Sequence, residues 1–202
     1  MYGMPIIRLM DPVLFLAFVA TLLSLLHMIA PDHWMPLSAL ALKNSIDRKR
    51  VNLIAFILGL LHGITSTALA LLVVFFGIYA FGTAEIRVVS VTIILVVAAF
   101  ILINSFREAH RKSGIESSSL AVSVFPDPAF LPILVAAAAY GNLILSTISI
   151  LFVFSSATFL LVVVILVNMG LMKALQKVSP VAVDRIIVMT LLLTGLYIYI
   201  YG

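Results

Sequence analysis

The chain has 202 residues, of which 64% are hydrophobic, 10% are charged and none is cysteine. Soluble domains average about 45–50% apolar and about 25% charged residues, so this composition excludes an ordinary soluble domain and predicts an all-α integral membrane protein. The lack of cysteine excludes disulfides, thiolate metal sites and dithiol redox chemistry, and the net charge of +4 does not indicate a nucleic-acid partner because the basic residues fall in short loops between apolar runs.

Apolar runs, taken in chain order, predict six transmembrane helices. They cover residues 13–42, 52–79, 88–106, 120–148, 155–175 and 184–201. The connector ILFVFSS between the fourth and fifth helices carries no charge, whereas REAHRKSGIESSS after the third resembles a soluble linker. We therefore expect a first three-helix half over residues 1–106, a linker over 107–119 and a second three-helix half over 120–202.

The basic residues are distributed unevenly between alternate connectors. Ten of the twelve Lys and Arg residues lie in the first, third and fifth connectors, and only Arg8 and Arg87 lie on the other side. By the positive-inside rule, the three basic connectors are predicted to be cytoplasmic and both termini to lie outside. The expected location is a prokaryotic cell membrane, which the chain crosses several times.

Each predicted half contains one Pro-Asp pair in its first helix, and these pairs predict breaks in helices one and four. Asp32 and Asp127 are 95 residues apart, and the prolines that follow them, Pro36 and Pro132, are 96 apart. Two halves with an odd number of helices must insert with opposite topology. The pattern is typical of an inverted repeat, in which the substrate site lies near the midplane where broken helices meet.

Three of the four histidines, His27, His33 and His62, are predicted to lie within the membrane, together with Asp32. A charged aspartate at that depth costs about 2.5–3.5 kcal/mol on insertion scales and needs a partner. Because Pro31 can kink or unwind the helix, residues six positions apart can converge. Imidazoles and a carboxylate without a thiolate favour a borderline divalent ion such as nickel, cobalt or zinc.

Other roles are compatible with the same polar residues. The histidines and Asp32 could form a hydrogen-bonded cluster that joins two helices, or a proton relay. Asp127 could contribute to the site or its gate from the second half, or could cap a helix before Pro128. Asn142 and Asn168 could supply carbonyl oxygens, although hydrogen bonds between helices are the more ordinary role. Gly59 and Gly63, spaced four apart, are typical of close helix packing, and His110 is expected to be solvated in the linker.

The segment HMIAPDH at 27–33 has the form H-x-x-x-x-D-H, and LGLLHG follows at 58–63. This pair resembles the signature of the nickel/cobalt transporter family, including its NicO-type relatives in the LysE-type superfamily, over roughly residues 20–70. The resemblance implies that His27, Asp32 and His33 contact the metal and that His62 supports or completes the site. The chain departs from the family in its helix number and in lacking a histidine-rich loop. It also lacks the cysteine that follows proline in CcdA-like relatives.

Together these features predict secondary uptake of Ni²⁺ or Co²⁺ driven by the membrane potential, with Zn²⁺ as a further option. The ion is the substrate, and we expect no resident cofactor. No Walker-type loop is present, so an intrinsic ATPase is not supported. We expect a transporter and not an enzyme. The expected partners are the ion and the lipid bilayer, and a homo-oligomer is compatible with the sequence. The alternatives are a LysE-type proton-coupled exporter of another small solute and a non-transporting membrane accessory protein.

Overall fold

The structure, a computed structural model, describes residues 11–81, 86–110, 124, 126–171 and 177–201, and all regular structure in these ranges is helical. Seven α-helices follow one another along the chain. They are α1 (Pro12–Ile29), α2 (Pro31–Lys43), α3 (Arg48–Phe81), α4 (Ile86–His110), α5 (Phe130–Ala138), α6 (Asn142–Leu166) and α7 (Pro180–Tyr201). A π-helical turn, Val167–Leu171, continues α6.

Five helical segments of the described chain are long and apolar enough to cross a membrane. They are Pro12–Ile29, Arg48–Gly77, Val88–Phe106, Asn142–Leu171 and Pro180–Ile200. Their outer faces carry large apolar side chains, such as Phe76 and Leu143, which are 72% and 78% exposed. A protein with this surface and these helices is a multi-pass helical membrane protein. The expected number of six membrane-crossing helices is not confirmed.

The predicted break in the first helix is confirmed, and it lies immediately before Pro31. Ala30 separates α1 from α2 and has φ −59° and ψ 135°, and Pro31 is the first residue of α2. Proline disfavours the helical conformation of the residue before it, and it offers no N–H to continue the hydrogen-bond ladder. The chain therefore leaves the α1 axis at Ala30 and starts a new helix one residue later.

In the second half, the predicted helix boundaries at 148 and 155 are wrong. Helix α5 has only nine residues and ends before Gly141, whereas α6 continues without interruption through the segment ILFVFSS. Gly141 has a φ of +94°, a conformation that glycine adopts without a steric penalty, so the chain turns there. The apolar connector contains no helix-breaking residue, and nothing in it ends the helix. Residues 120–123, at the start of the predicted fourth helix, lie outside the described ranges, as do residues 111–119 of the linker.

Helices from the first half of the chain pack against helices from the second half. Helix α3 packs against α6, and α4 packs against α7; α1 contacts α6 and α7, and α5 contacts α3 and α4. A Cβ atom on Gly59 would lie 2.7 Å from the Cα of Ala157, and one on Gly63 would lie 2.7 Å from the Cα of Val153. The predicted packing role of both glycines is confirmed, because only a residue without a side chain permits this approach.

Candidate metal centre

The three predicted intramembrane histidines lie together in the interior of the bundle. His27 is in the last turn of α1, His33 is in the first turn of α2, and His62 is in the middle of α3. The ring centroids of His27 and His33 are 4.4 Å apart, and the ring of His62 lies 5.0 Å from the first and 5.1 Å from the second. One nitrogen from each residue can be chosen so that all three lie within 4.8 Å of one another.

The break at Ala30 makes this convergence possible. In a continuous helix, residues six positions apart are about 9 Å apart along the axis and point in different directions, because each residue adds about 100°. The change of direction between α1 and α2 brings the two imidazoles back to one side. His33 and His62 are buried, with 1% and 0% of their surface exposed, and His27 is half-buried at the edge of the group.

Asp127 approaches the histidines from the second half of the chain. Asp127 is 2% exposed, and its Oδ2 atom lies 3.9 Å from Nδ1 of His27. The other oxygen, Oδ1, accepts a hydrogen bond of 2.8 Å from the backbone N–H of Ala129, just before α5. One oxygen of Asp127 thus supports the turn before α5, and the other lies beside His27. The predicted cap is not formed, because the N-cap residue of α5 is Ala129 and no side chain caps that helix.

Asp32 occupies a different environment, although it is next to His33 in the sequence. Its side chain is 49% exposed, and its Oδ2 atom lies 3.8 Å from Nε2 of His33. Neighbouring residues of a helix do not share a face, so with His33 directed inward Asp32 points toward the rim. The structure brings His27, His33 and His62 into one group and leaves Asp32 beside it.

Asn142 and Asn168 are not brought to the cluster. Asn142 is exposed at the start of α6, where it lines a separate open cavity of about 520 Å³ with Leu71 and Ala138 among its walls. The Nδ2 of Asn168 donates a hydrogen bond of 3.2 Å to Oδ1 of Asn52, so Asn168 joins α3 to the end of α6. His110 is the last residue of α4, and its side chain lies outside the described part of the chain.

Two hydroxyl side chains of α3, which the sequence analysis does not predict as site residues, lie beside the site. The Oγ1 of Thr65 donates a hydrogen bond of 2.7 Å to the carbonyl of Val124. The backbone N–H of Asp127 donates a hydrogen bond of 2.8 Å to Oγ of Ser66, which lies 3.5 Å from Nε2 of His62. The sequence contains one indication of this role: Ser66 follows His62 by four residues, so both lie on the same face of α3.

The arrangement can hold a divalent ion after small side-chain movements. Two ligand nitrogens on a tetrahedral zinc, each about 2.0–2.1 Å from the metal, are about 3.3 Å apart. The limit of 4.8 Å between the chosen nitrogens means that they would approach one another by at most about 1.5 Å on binding. Imidazole rings move by this distance through χ1 and χ2 adjustments.

Comparisons with known proteins give no match: no protein-family model, no curated protein and no solved structure matches the chain. The resemblance to nickel/cobalt transporters therefore stays a prediction from the H-x-x-x-x-D-H segment and the histidine of the next helix.

Proposed function

We propose that this protein transports a divalent transition-metal ion across the membrane, Ni²⁺ or Co²⁺ in first place, and that His27, His33 and His62 hold the ion on its path. One observation carries the proposal: three imidazoles, with nitrogens within 4.8 Å of one another, gather in the interior of an apolar helical bundle. Neutral imidazole is a ligand that suits these borderline ions, whereas Ca²⁺ and Mg²⁺ prefer oxygen ligands.

The distances to the neighbouring carboxylates argue against a cluster that serves only to join helices. The pair His27 and Asp127 is 3.9 Å apart, and the pair His33 and Asp32 is 3.8 Å apart. A pair held by a direct hydrogen bond would lie at about 2.7–3.2 Å. Neither of these two carboxylates lies within hydrogen-bond distance of its histidine, so hydrogen-bonded histidine–carboxylate pairs do not account for the cluster.

Membrane potential is sufficient to drive uptake of such an ion. One charge that moves through 100 mV gains about 2.3 kcal/mol, so a divalent ion gains about 4.6 kcal/mol when it enters a cell that is negative inside. This free energy corresponds to roughly a thousandfold accumulation at equilibrium. Uptake therefore needs no nucleotide hydrolysis under this proposal.

The inverted repeat belongs to the same proposal, and the helix packing supports it. In an inverted repeat, each helix of the first half corresponds to one of the second half. Here α3 would correspond to α6 and α4 to α7, and the α1–α2 segment would correspond to the segment that ends in α5. The contacts of α1 with α6 and α7 then correspond to the contacts of α5 with α3 and α4. Such pairing is expected of two halves that move relative to each other about a central site.

Ion flux into proteoliposomes tests transport. Purified wild type, His33→Ala and His110→Ala are reconstituted at equal density, and Ni²⁺ and Co²⁺ entry is followed with and without an inside-negative potential. We expect potential-dependent entry in wild type, at least about a tenfold loss in His33→Ala, and an unchanged rate in His110→Ala, which removes the histidine of the predicted linker. Absence of flux in wild type, or equal flux in His33→Ala, would contradict the proposal.

A second function, proton-coupled export of another solute, is favoured by a specific arrangement of titratable groups. Asp32, His33, His27 and Asp127 form a row of neighbouring groups that begins at the half-exposed Asp32 and ends at the buried Asp127, at separations of 3.8 Å, 4.4 Å between rings and 3.9 Å. Histidine and carboxylate chains of this kind carry protons in transporters. The proteoliposome assay separates the two functions, since proton movement that persists with a metal chelator present would favour the second.

A further inference from the structure

We propose that Asp127, and not Asp32, supplies the carboxylate of the metal site, and that Ser66 positions it. The inference rests on the proposed metal-binding function and deepens it. It makes the site a composite of three imidazoles from the first half of the chain and one carboxylate from the second. The H-x-x-x-x-D-H segment alone points to the other aspartate.

Burial separates the two aspartates clearly. Asp127 is 2% exposed, whereas the side chain of Asp32 is 49% exposed. A carboxylate that is enclosed in an apolar bundle needs a compensating charge or hydrogen bonds. Asp32 can obtain both from its surroundings at the rim, but Asp127 must obtain them from the protein or from a bound cation.

The two oxygens of Asp127 differ in what they contact. Oδ1 accepts the N–H of Ala129 at 2.8 Å, while Oδ2 is buried and accepts no hydrogen bond from the part of the chain that the structure describes. Oδ2 is the oxygen that lies 3.9 Å from Nδ1 of His27. The unsatisfied oxygen therefore lies beside His27, one of the three imidazoles, and a side-chain movement of Asp127 would bring it to a cation held by the group.

The backbone around Asp127 is fastened to the helix that carries His62. Thr65 bonds the carbonyl of Val124 at 2.7 Å, and Ser66 accepts the N–H of Asp127 at 2.8 Å. Both hydroxyls lie within four residues of His62, so the carboxylate and this imidazole are positioned by one stretch of α3. A ligand pair held on a common element keeps its geometry better than one that depends on two independent loops.

The resulting ligand set has a definite ion preference. Three neutral nitrogens and one carboxylate reduce the charge of a divalent ion from +2 to +1, which lowers the cost of holding it away from water. The set contains no sulfur for Cu⁺ and too few oxygens for Ca²⁺ or Mg²⁺. Asp127 is thus expected to contribute to the affinity for divalent borderline ions through its charge.

Co²⁺ binding to the purified full chain tests the assignment, with the chain's own second aspartate as the matched control. Asparagine has nearly the size of aspartate and keeps an oxygen for the N–H of Ala129. We expect Asp127→Asn to weaken Co²⁺ binding by about 10–100-fold and Asp32→Asn by less than about threefold. The visible absorption of bound Co²⁺ should change in Asp127→Asn and stay unchanged in Asp32→Asn, because only the first alters the ligands.

A second variant guards against a folding defect. Ser66→Ala keeps every metal ligand but removes the acceptor of the Asp127 N–H. Ser149→Ala removes a buried hydroxyl that donates a hydrogen bond within α6, to the carbonyl of Leu145. We expect about tenfold weaker Co²⁺ binding for Ser66→Ala and no change for Ser149→Ala. Thermal unfolding without metal shows whether each variant folds.

The outcomes separate this inference from the proposed function. A larger loss in Asp32→Asn, or wild-type affinity in both Asp127→Asn and Ser66→Ala, would overturn the assignment of Asp127 while leaving the histidine site in place. Failure of wild type to bind Co²⁺ or Ni²⁺ would overturn both. Normal binding with the expected variant pattern, but without flux in proteoliposomes, would support the Asp127 site and contradict transport.

Discussion

Replacement of Gly63 by alanine is expected to separate α3 from α6 and to disturb the histidine cluster. The added Cβ would lie 2.7 Å from the Cα of Val153 and 3.2 Å from its carbonyl oxygen. Carbon atoms in contact are about 3.5–4.0 Å apart, so the two helices must separate locally by about 1 Å. The obstructing atoms belong to the backbone, and a side-chain rotation cannot relieve the clash.

Two opposing terms set the size of the effect. Overpacking of a close contact costs about 1–3 kcal/mol, whereas alanine in place of glycine favours a helix by about 0.5–1 kcal/mol. Gly77 provides the control, because a Cβ there meets no atom within 4 Å and Gly77→Ala should gain only the second term. The two variants should therefore differ in unfolding free energy by about 1–3 kcal/mol, with Gly63→Ala the less stable.

Unfolding of both variants in one detergent, without metal, measures this difference, and Co²⁺ titration reports on the site. Because His62 precedes Gly63, a displacement of α3 should also weaken Co²⁺ binding in Gly63→Ala and leave Gly77→Ala like wild type. Equal stability of the two variants would refute the described approach of α3 to α6. Reduced stability with unchanged metal binding would show that the histidine positions do not depend on that approach.

Two further predictions concern the site and the packing around it. Co²⁺ at 100 times its dissociation constant should stabilise wild type by about 2.7 kcal/mol, and a chelator should reverse this; a similar gain in His33→Ala would contradict the histidine site. Ser24 and Ser156 lie with their hydroxyl oxygens 3.1 Å apart between α1 and α6, and hydrogen bonds between membrane helices contribute about 0.6 kcal/mol. A double-mutant cycle with alanine at both positions should give that coupling, and additive effects would contradict the contact.

The break in the first helix and the meeting of His27 with His33 could be predicted because their cause is local. Proline at position 31 acts on its own hydrogen bond and on the conformation of Ala30, whatever surrounds it. The packing role of Gly59 and Gly63 was predictable for a similar reason, since small residues at this spacing form a continuous strip along one side of a helix.

The division of the second half could not be predicted from apolar runs. In a membrane protein, polarity does not mark every helix end, because a turn can lie between two apolar segments. The signal is Gly141, whose positive φ ends the short α5 region, whereas the uncharged segment ILFVFSS lies inside α6 and connects nothing. Length alone would have allowed either interpretation, since α6 and its π-helical turn reach 30 residues.

The sequence pattern could not predict that Asp127 is buried and Asp32 is half-exposed. Spacing placed Asp32 between the histidines, but the direction of its side chain depends on how α2 rotates once His33 is buried. The approach of Asp127 depends on two hydrogen bonds between residues about sixty positions apart: Thr65 donates to the carbonyl of Val124, and Ser66 accepts from the N–H of Asp127. Spacing along the sequence predicts contacts within one helix, not contacts between residues so far apart.

A composite site has a consequence for how an ion could pass through the protein. An ion bound to His27, His33, His62 and Asp127 would connect the two halves, so a movement that separates them would remove the carboxylate and leave three imidazoles. Loss of one charged ligand weakens binding and favours release, whereas return of Asp127 restores affinity. The hydrogen bond from the N–H of Asp127 to Ser66 is then one of two contacts that must break in such a movement, together with the bond from Thr65 to the carbonyl of Val124. The strength of the bond to Ser66 would contribute to the balance between tight binding and rapid release, and weaker binding in Ser66→Ala should come with faster release of Co²⁺.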